Sequence, residues 1–184
     1  MSILTKIKKF YQIDKDKVYD RHHSSHLVNT AKLLNKYGCE EVVCNAGMLH
    51  SIYDENSIYN NSGVSYKDRE HIQQIVGKVV ELLVYYYGRV HYAKSYDNIS
   101  KSGNVVTLRV QTEDISIPED IFSNLVNVIV ADILEQIIWC VEKKGFFTYQ
   151  DAREHLKKLF PILYYCCHGI QIDFNRFWSL SCRT

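Results

Sequence analysis

Apolar residues recur three and four positions apart over most of the chain, which is the spacing of one face of an α-helix. The pattern begins at the N-terminus, where Ile3, Leu4, Ile7 and Phe10 are separated by polar residues. We therefore predict helices near the N-terminus and at about residues 23–37, 40–53, 65–88, 118–145 and from 148 onward.

Capping and stop residues bound several of these helices. Gly38 follows the second one, where glycine readily adopts the left-handed conformation that ends a helix. Ser65 and Thr148 are each followed three residues later by an aspartate, which is the spacing of a capping box at a helix N-terminus. Pro161 predicts a kink or break in the last helix, and residues after 169 carry no clear pattern.

The segment at residues 91–117 departs from the helical pattern. Gly103 favours a turn, and Ile115 and Ile117 alternate with polar residues, so we predict a small β-hairpin. The predicted fold class for residues 1–184 is all-α: a single domain, built as a bundle of five to six helices with this small hairpin.

Composition and charge narrow the range of partners. Hydrophobic residues make up 46% of the 184 residues and charged residues 23%, proportions typical of a globular protein. The formal net charge of +1 creates no field that would gather nucleic acid, so we expect no nucleic-acid partner. The longest apolar stretch, residues 121–141, contains Asp132 and Glu135, which would be costly in lipid, so we expect no membrane partner.

Targeting signals and cysteine motifs give little further chemistry. Lysines interrupt the apolar positions of the N-terminal segment, which therefore does not resemble a signal peptide. The six cysteines include no C-x-x-C pair, so we expect a cytoplasmic protein with reduced thiols and no cysteine zinc site. The sequence also has neither a glycine-rich phosphate loop nor a serine-hydrolase signature.

Asp132 is the first candidate for chemistry because it lies in the middle of an almost entirely apolar helix. A buried carboxylate is strongly disfavoured unless it meets a cation. That cation is either a metal ion or an arginine, and both alternatives remain open. The candidate arginines are Arg21, Arg69, Arg89 and Arg109.

Histidines on two other predicted helices favour the metal alternative. His50 follows two small residues that lie about one turn earlier and leave space above its ring. His22 and His26 are four residues apart on one helical face, and His23 lies three residues before His26. One such histidine is more often an ordinary core residue, but together with Asp132 they predict a metal site.

The residues around these histidines resemble a known family pattern. HD-domain proteins start one helix with a histidine and end the next with a His-Asp pair, and a similar arrangement occurs in the run RHHSSHLVNTAKLLNKYGCEEVVCNAGMLHSIYD. An aspartate on a later helix completes the metal set of that superfamily, and Asp132 in VADILEQ resembles it. The resemblance extends over about residues 21–142. It implies that His26, His50 and Asp132 hold one divalent metal ion, either Fe, Mn, Mg or Zn.

Ser51 replaces the aspartate of the His-Asp pair. In this respect the chain is similar to an uncharacterised HD-like group that has HSIY at this place. That group is also resembled by two further runs of the chain, REHIQQIVGKVVELL and ADILEQ. A serine hydroxyl is a weak ligand for a divalent ion, which argues against a two-metal centre.

Two acidic residues are the candidate catalytic residues. Asp54 lies one helical turn beyond His50, and by resemblance to some HD phosphohydrolases it would act as a general base; the alternative is an ordinary loop aspartate. Glu135, three residues after Asp132, would orient a metal ligand or pair with Arg109.

Three functions are consistent with these residues. The leading one is a metal-dependent hydrolase of a small phosphorylated, nucleotide-like substrate, which makes the chain an enzyme with a small-molecule partner. The second is an HD-type non-haem iron oxygenase, in which His71 and His91 would form a second metal site. The third is a non-catalytic binding protein that keeps the HD fold. Accessory candidates are His22, His23 and Ser51, and the oligomeric state stays open.

Overall fold

The structure, a computed structural model, describes residues 3–8, 17–18, 20–53, 64–90, 96–143 and 145–182. The helices are α1 (Ile3–Lys8), α2 (His23–Lys36), α3 (Glu41–Leu49), α4 (Arg69–Val76), α5 (Lys78–Val90), α6 (Glu119–Ile137), α7 (Tyr149–Lys157) and α8 (His168–Ser181). The strands are β1 (Lys17–Val18), β2 (Arg21–His22), β3 (Ile99–Ser102), β4 (Val105–Val110) and β5 (Glu113–Pro118). A π-helical segment, Ile138–Lys143, continues α6, and 3₁₀ turns cover Tyr66–Asp68 and Phe160–Tyr165.

Helix α6 lies at the centre of the fold because nearly every face of it is apolar. It packs against α2, α3, α5 and α8, and Leu125, Ile129 and Leu134 are fully buried. A helix without a polar face is stable only when other elements surround it. The stretch Glu119–Lys143 is long and apolar enough to cross a membrane by length and composition, but 67% of its most apolar window is buried, as in the core helix of a globular domain.

The prediction of an all-α fold is wrong, because a three-stranded antiparallel sheet makes the protein α+β. Strand β4 lies between β3 and β5, and Leu108 pairs with Ile99 on one side and with Ile115 on the other. Alternate residues of β4 and β5 face the core, namely Val106, Leu108, Val110, Ile115 and Ile117. The predicted hairpin therefore gains a third strand.

The sequence indicated one of the two turns of this sheet, because the other turn lacks the usual residue. Gln111 has a φ of +54°, a conformation that residues other than glycine rarely adopt. The first turn contains Gly103 at a φ of +56°, and that turn was predicted. A turn built on glutamine gives no such signal.

The helices also differ from the predicted ones in number and length. Gly77 has a φ of +89° and divides the predicted fourth helix into α4 and α5. Helix α8 was not predicted, although Ile170, Phe174 and Phe177 lie at helical spacing and are buried. The described residues thus contain eight α-helices rather than five to six. The capping boxes at Ser65 and Thr148 are confirmed.

Close packing of α2 against α3 brings His26 and His50 near each other. Gly38, with a φ of +77°, ends α2 as predicted and starts the short connection to α3. A Cβ atom at Gly47 would lie 2.3 Å from Leu34 Cδ1, so the glycine allows the two helices to approach closely. The approach brings His50, just after α3, near His26 on α2.

Candidate metal centre

His26, His50 and Asp132 converge in the core and form a group that could hold a metal ion. One ligand atom from each of the three lies within 4.8 Å of the others. His26 Nε2 is 2.9 Å from Asp132 Oδ1, and His50 Nε2 is 3.6 Å from the same oxygen. The exposed fractions are 3%, 2% and 0%, respectively. Two imidazoles and a carboxylate are a donor set that transition metals accept.

The imidazole of His50 is prepared to act as a ligand. Its Nδ1–H donates to the carbonyl oxygen of Gly47 at 2.7 Å, which leaves the lone pair on Nε2 directed at Asp132. Burial lowers the pKa of His50 to about 4, and the neighbouring charge of His26 adds to the effect while Asp132 opposes it. The ring is therefore neutral at pH 7, as a metal ligand must be.

His26 lies between two carboxylates. Its Nε2 faces Asp132, and its Nδ1 donates to Glu135 Oε2 at 2.5 Å. Burial by itself would lower the pKa of His26, but the hydrogen bonds to Asp132 and Glu135 outweigh it and raise the pKa to about 9. At pH 7 both ring nitrogens therefore carry protons, and a metal ion that bound to Nε2 would have to displace the proton on that nitrogen.

Glu135 holds His26 in place and is itself held by Arg21. The guanidinium donates two hydrogen bonds to the Glu135 carboxylate, each of 2.5 Å, and stacks 4.6 Å from the ring centroid of Trp139. Burial would raise the pKa of Glu135, but the bonds from His26 and Arg21 keep it below its ordinary value. A carboxylate behind a ligating histidine fixes the orientation of the ring. Glu135 thus contacts the His26 ring, and its arginine partner is Arg21 rather than Arg109.

Both oxygens of Asp132 are hydrogen-bonded. The Tyr87 hydroxyl donates to Oδ2 at 2.6 Å, and the Gln136 amide donates to Oδ1 at 2.7 Å. The four arginines considered as its counter-ions each pair with another carboxylate. These pairs are Arg21 with Glu135, Arg69 with Glu81, Arg89 with Glu113 and Arg109 with Asp114. Among the residues that the structure describes, His26 is a cation that faces Asp132.

The sequence profile of a domain of unknown function, DUF6817, matches residues 14–91. The match covers less than half of the chain and includes His26 and His50 but not Asp132. No curated protein and no solved structure shows significant similarity to the chain.

The other predicted site residues have different surroundings. Ser51 Oγ lies 3.1 Å from His23 Nε2, and the His23 ring stacks on His26 with 6.0 Å between centroids. This half-buried pair therefore lies beside the group of His26, His50 and Asp132 (the metal group). His22 on β2 and His71 on α4 are exposed, and neither is part of the group. Asp54 and His91 lie outside the described residues.

Three residues that interact with Asp132 were not predicted in this role. Tyr87 and Gln136 bind Asp132 directly, and Tyr96 is a buried neighbour whose pKa is raised by burial and then by the charge of Asp132. Gln136 could have been found, because it follows Asp132 by one helical turn. The two tyrosines come from distant segments and gave no such signal.

Proposed function

We propose that this chain is a metal-dependent phosphohydrolase of the HD type, acting on a small phosphorylated, nucleotide-like substrate. The observation that carries the proposal is the buried group of His26, His50 and Asp132, whose ligand atoms lie within 4.8 Å of one another. The resemblance of residues 21–142 to HD proteins supports the choice of reaction.

The donor set favours Fe²⁺ or Zn²⁺ over Mg²⁺. Two of the three ligands are imidazoles, which suit transition metals, whereas Mg²⁺ prefers oxygen ligands and keeps several waters. Three protein ligands leave coordination positions for water and substrate, which is typical of a catalytic site rather than a structural one. A bound ion would polarise a phosphoryl oxygen and lower the pKa of a water molecule.

The residues of the chain have distinct tasks in this proposal. Asp132 provides the negative charge that attracts the cation, and Tyr87 and Gln136 hold its carboxylate in one orientation. Glu135 and Arg21 orient His26 from behind. Asp54 would accept the proton from water, a role that stays a prediction.

Phosphate release from a panel of nucleotides tests the proposal. The protein loaded with Fe²⁺, Mn²⁺ or Zn²⁺ is expected to release phosphate from at least one nucleotide, and His50→Ala should lower the rate by about 100-fold or more because it removes a ligand. His168→Ala is the matched control, because His168 is exposed at the start of α8 and should leave the rate unchanged.

Two outcomes would contradict the phosphohydrolase assignment. Oxygen consumption by the iron-loaded protein without phosphate release would favour the oxygenase. Tight metal binding with neither reaction would favour a non-catalytic binding protein, in keeping with the loss of a carboxylate at Ser51.

A second prediction concerns Ser51. Ser51→Asp should raise the affinity for a divalent ion by about 10-fold or more, because it places a carboxylate next to His50 and adds negative charge to the ligand set. The affinity is measured by competition with a metal-binding dye. Ser51→Asn has nearly the same size without the charge, and an equal gain in that variant would show that a carboxylate is not what the site lacks.

A further inference from the structure

A cleft of about 340 Å³ lies between α2 and the π-helical segment that continues α6. The volume is within the range of small-molecule sites in proteins. Ile138 and Trp139 both lie about one wide π-helical turn before Lys143. The three side chains are therefore on the same side of the segment. Pi-helical segments occur often at functional sites, because the extra residue in the turn redirects side chains.

The floor of the cleft is apolar. Leu33 from α2 and Ile138 and Trp139 from the π-helical segment line it, and each is half-buried. The guanidinium of Arg21 lies 4.6 Å from the Trp139 ring centroid and restrains the indole. An apolar floor of this kind stabilises the hydrocarbon or ring portion of a ligand by removing it from water.

Three lysines line the rim. Lys32 and Lys36 come from α2, and Lys143 from the end of the π-helical segment. Lys36 forms an ion pair with Asp173, but Lys32 and Lys143 have no ion-pair partner among the residues that the structure describes. The acidic residue in the lining, Glu135, is already neutralised by Arg21 and His26. The cleft thus has uncompensated positive charge above an apolar surface.

We propose that this cleft binds a small organic anion with an apolar body, either a carboxylate or a phosphate monoester. The apolar body would lie on Leu33, Ile138 and Trp139, and the anionic group would lie between Lys32 and Lys143. Charge complementarity selects the anion, and the modest volume selects a small molecule over a protein segment. The cleft shares Glu135 with the surroundings of His26, but His26, His50 and Asp132 are not among its lining residues, so this inference does not depend on the proposed hydrolase.

The test uses the full-length chain, treated with EDTA so that metal chemistry has no influence. Decanoate and decyl phosphate serve as probes for the two anion types, and decan-1-ol is the neutral comparison. Trp178→Phe leaves Trp139 as the fluorescent reporter in the cleft. We expect saturable one-to-one binding of at least one anion with a change in Trp139 emission, and at least about 10-fold weaker binding of decan-1-ol.

Charge reversal at the rim gives the decisive comparison. The double variant Lys32→Glu with Lys143→Glu should bind the preferred anion about 10-fold or more weakly. Lys67→Glu with Lys78→Glu changes the net charge equally at exposed positions on other elements, and should bind like the parent. Circular dichroism checks that each variant is folded.

Three results would overturn the inference. The first is absence of saturable binding of both anions, and the second is equal affinity for anion and alcohol. The third is a dimer in sedimentation velocity that the rim variant dissociates, since the cleft would then be covered by a second copy of the chain.

Discussion

Asp132→Asn is expected to lower the affinity of the protein for a divalent ion by more than about 100-fold. The substitution keeps the size of the side chain, and its amide oxygen can still accept one of the two hydrogen bonds that Tyr87 and Gln136 donate. It removes the negative charge that Asp132 contributes to the metal group. Loss of a residue behind a ligand already costs about 10- to 100-fold in metal affinity, so loss of the anionic ligand should cost more. Elemental analysis after purification without chelator, followed by dye competition, measures the effect.

Asp173→Asn provides the control for Asp132→Asn. Asp173 is also a partly buried carboxylate, and it accepts hydrogen bonds from Lys36 and Tyr37, but it is outside the metal group. The control should therefore retain the metal content of the parent. If Asp132→Asn retained it as well, the three converging residues would be a structural hydrogen-bond network and not a metal site.

Arg69→Met is expected to destabilise the fold by about 3 kcal/mol. Glu81 on α5 is fully buried, and Arg69 is the cation that pairs with it, at 2.6 Å and 3.0 Å to its two oxygens. Removal of one partner of a buried ion pair leaves an uncompensated charge, which typically costs 3–5 kcal/mol, and partial exposure of Arg69 places this case at the lower end. Urea unfolding monitored by circular dichroism measures the free energy of unfolding.

Arg109→Met makes the same substitution in an exposed pair. Arg109 bonds to Asp114 across the β4–β5 ladder, and both side chains are about half exposed. Exposed pairs contribute about 0–1 kcal/mol, so the loss should be at least 2 kcal/mol smaller than for Arg69→Met. Comparable losses in the two variants would mean that burial of Glu81 is not what makes its pair important.

The Glu81 network also matters for the site. The Tyr53 hydroxyl donates to Glu81 Oε1 at 3.1 Å, which ties the chain just beyond His50 to helix α5. The same helix carries Tyr87, which donates to Asp132. The network therefore fixes the position of α5 relative to α3, and the position of the residue that orients Asp132. We expect the metal affinity of Arg69→Met to fall together with its stability.

Several features of the fold follow from local sequence. Apolar residues at helical spacing determine α2, α3 and α6, because a helix in a globular protein must bury its apolar face. Gly38 determines the end of α2, and the capping boxes determine the starts of two helical segments. The same local reasoning marked Asp132, since a carboxylate in an apolar helix needs a partner.

Other features could not be predicted from local patterns. The long helix is divided at Gly77, and a turn forms at Gln111, through positive φ angles that the sequence pattern does not indicate. The partner of Glu135 proved to be Arg21, which is 114 residues away in the sequence. Pairing at such a separation is decided by how helices pack, and packing depends on the whole core rather than on any local pattern.

The amino-acid sequence alone determined which residues were able to take part in a metal site, because chemical type and helical spacing are local properties. Only the tertiary structure decided that three of these residues meet, that Tyr87 and Gln136 hold Asp132, and that His23 faces Ser51. The physical reason is that coordination requires ligand atoms within a few ångströms of one point, and the packing of α2, α3 and α5 against α6 sets those distances.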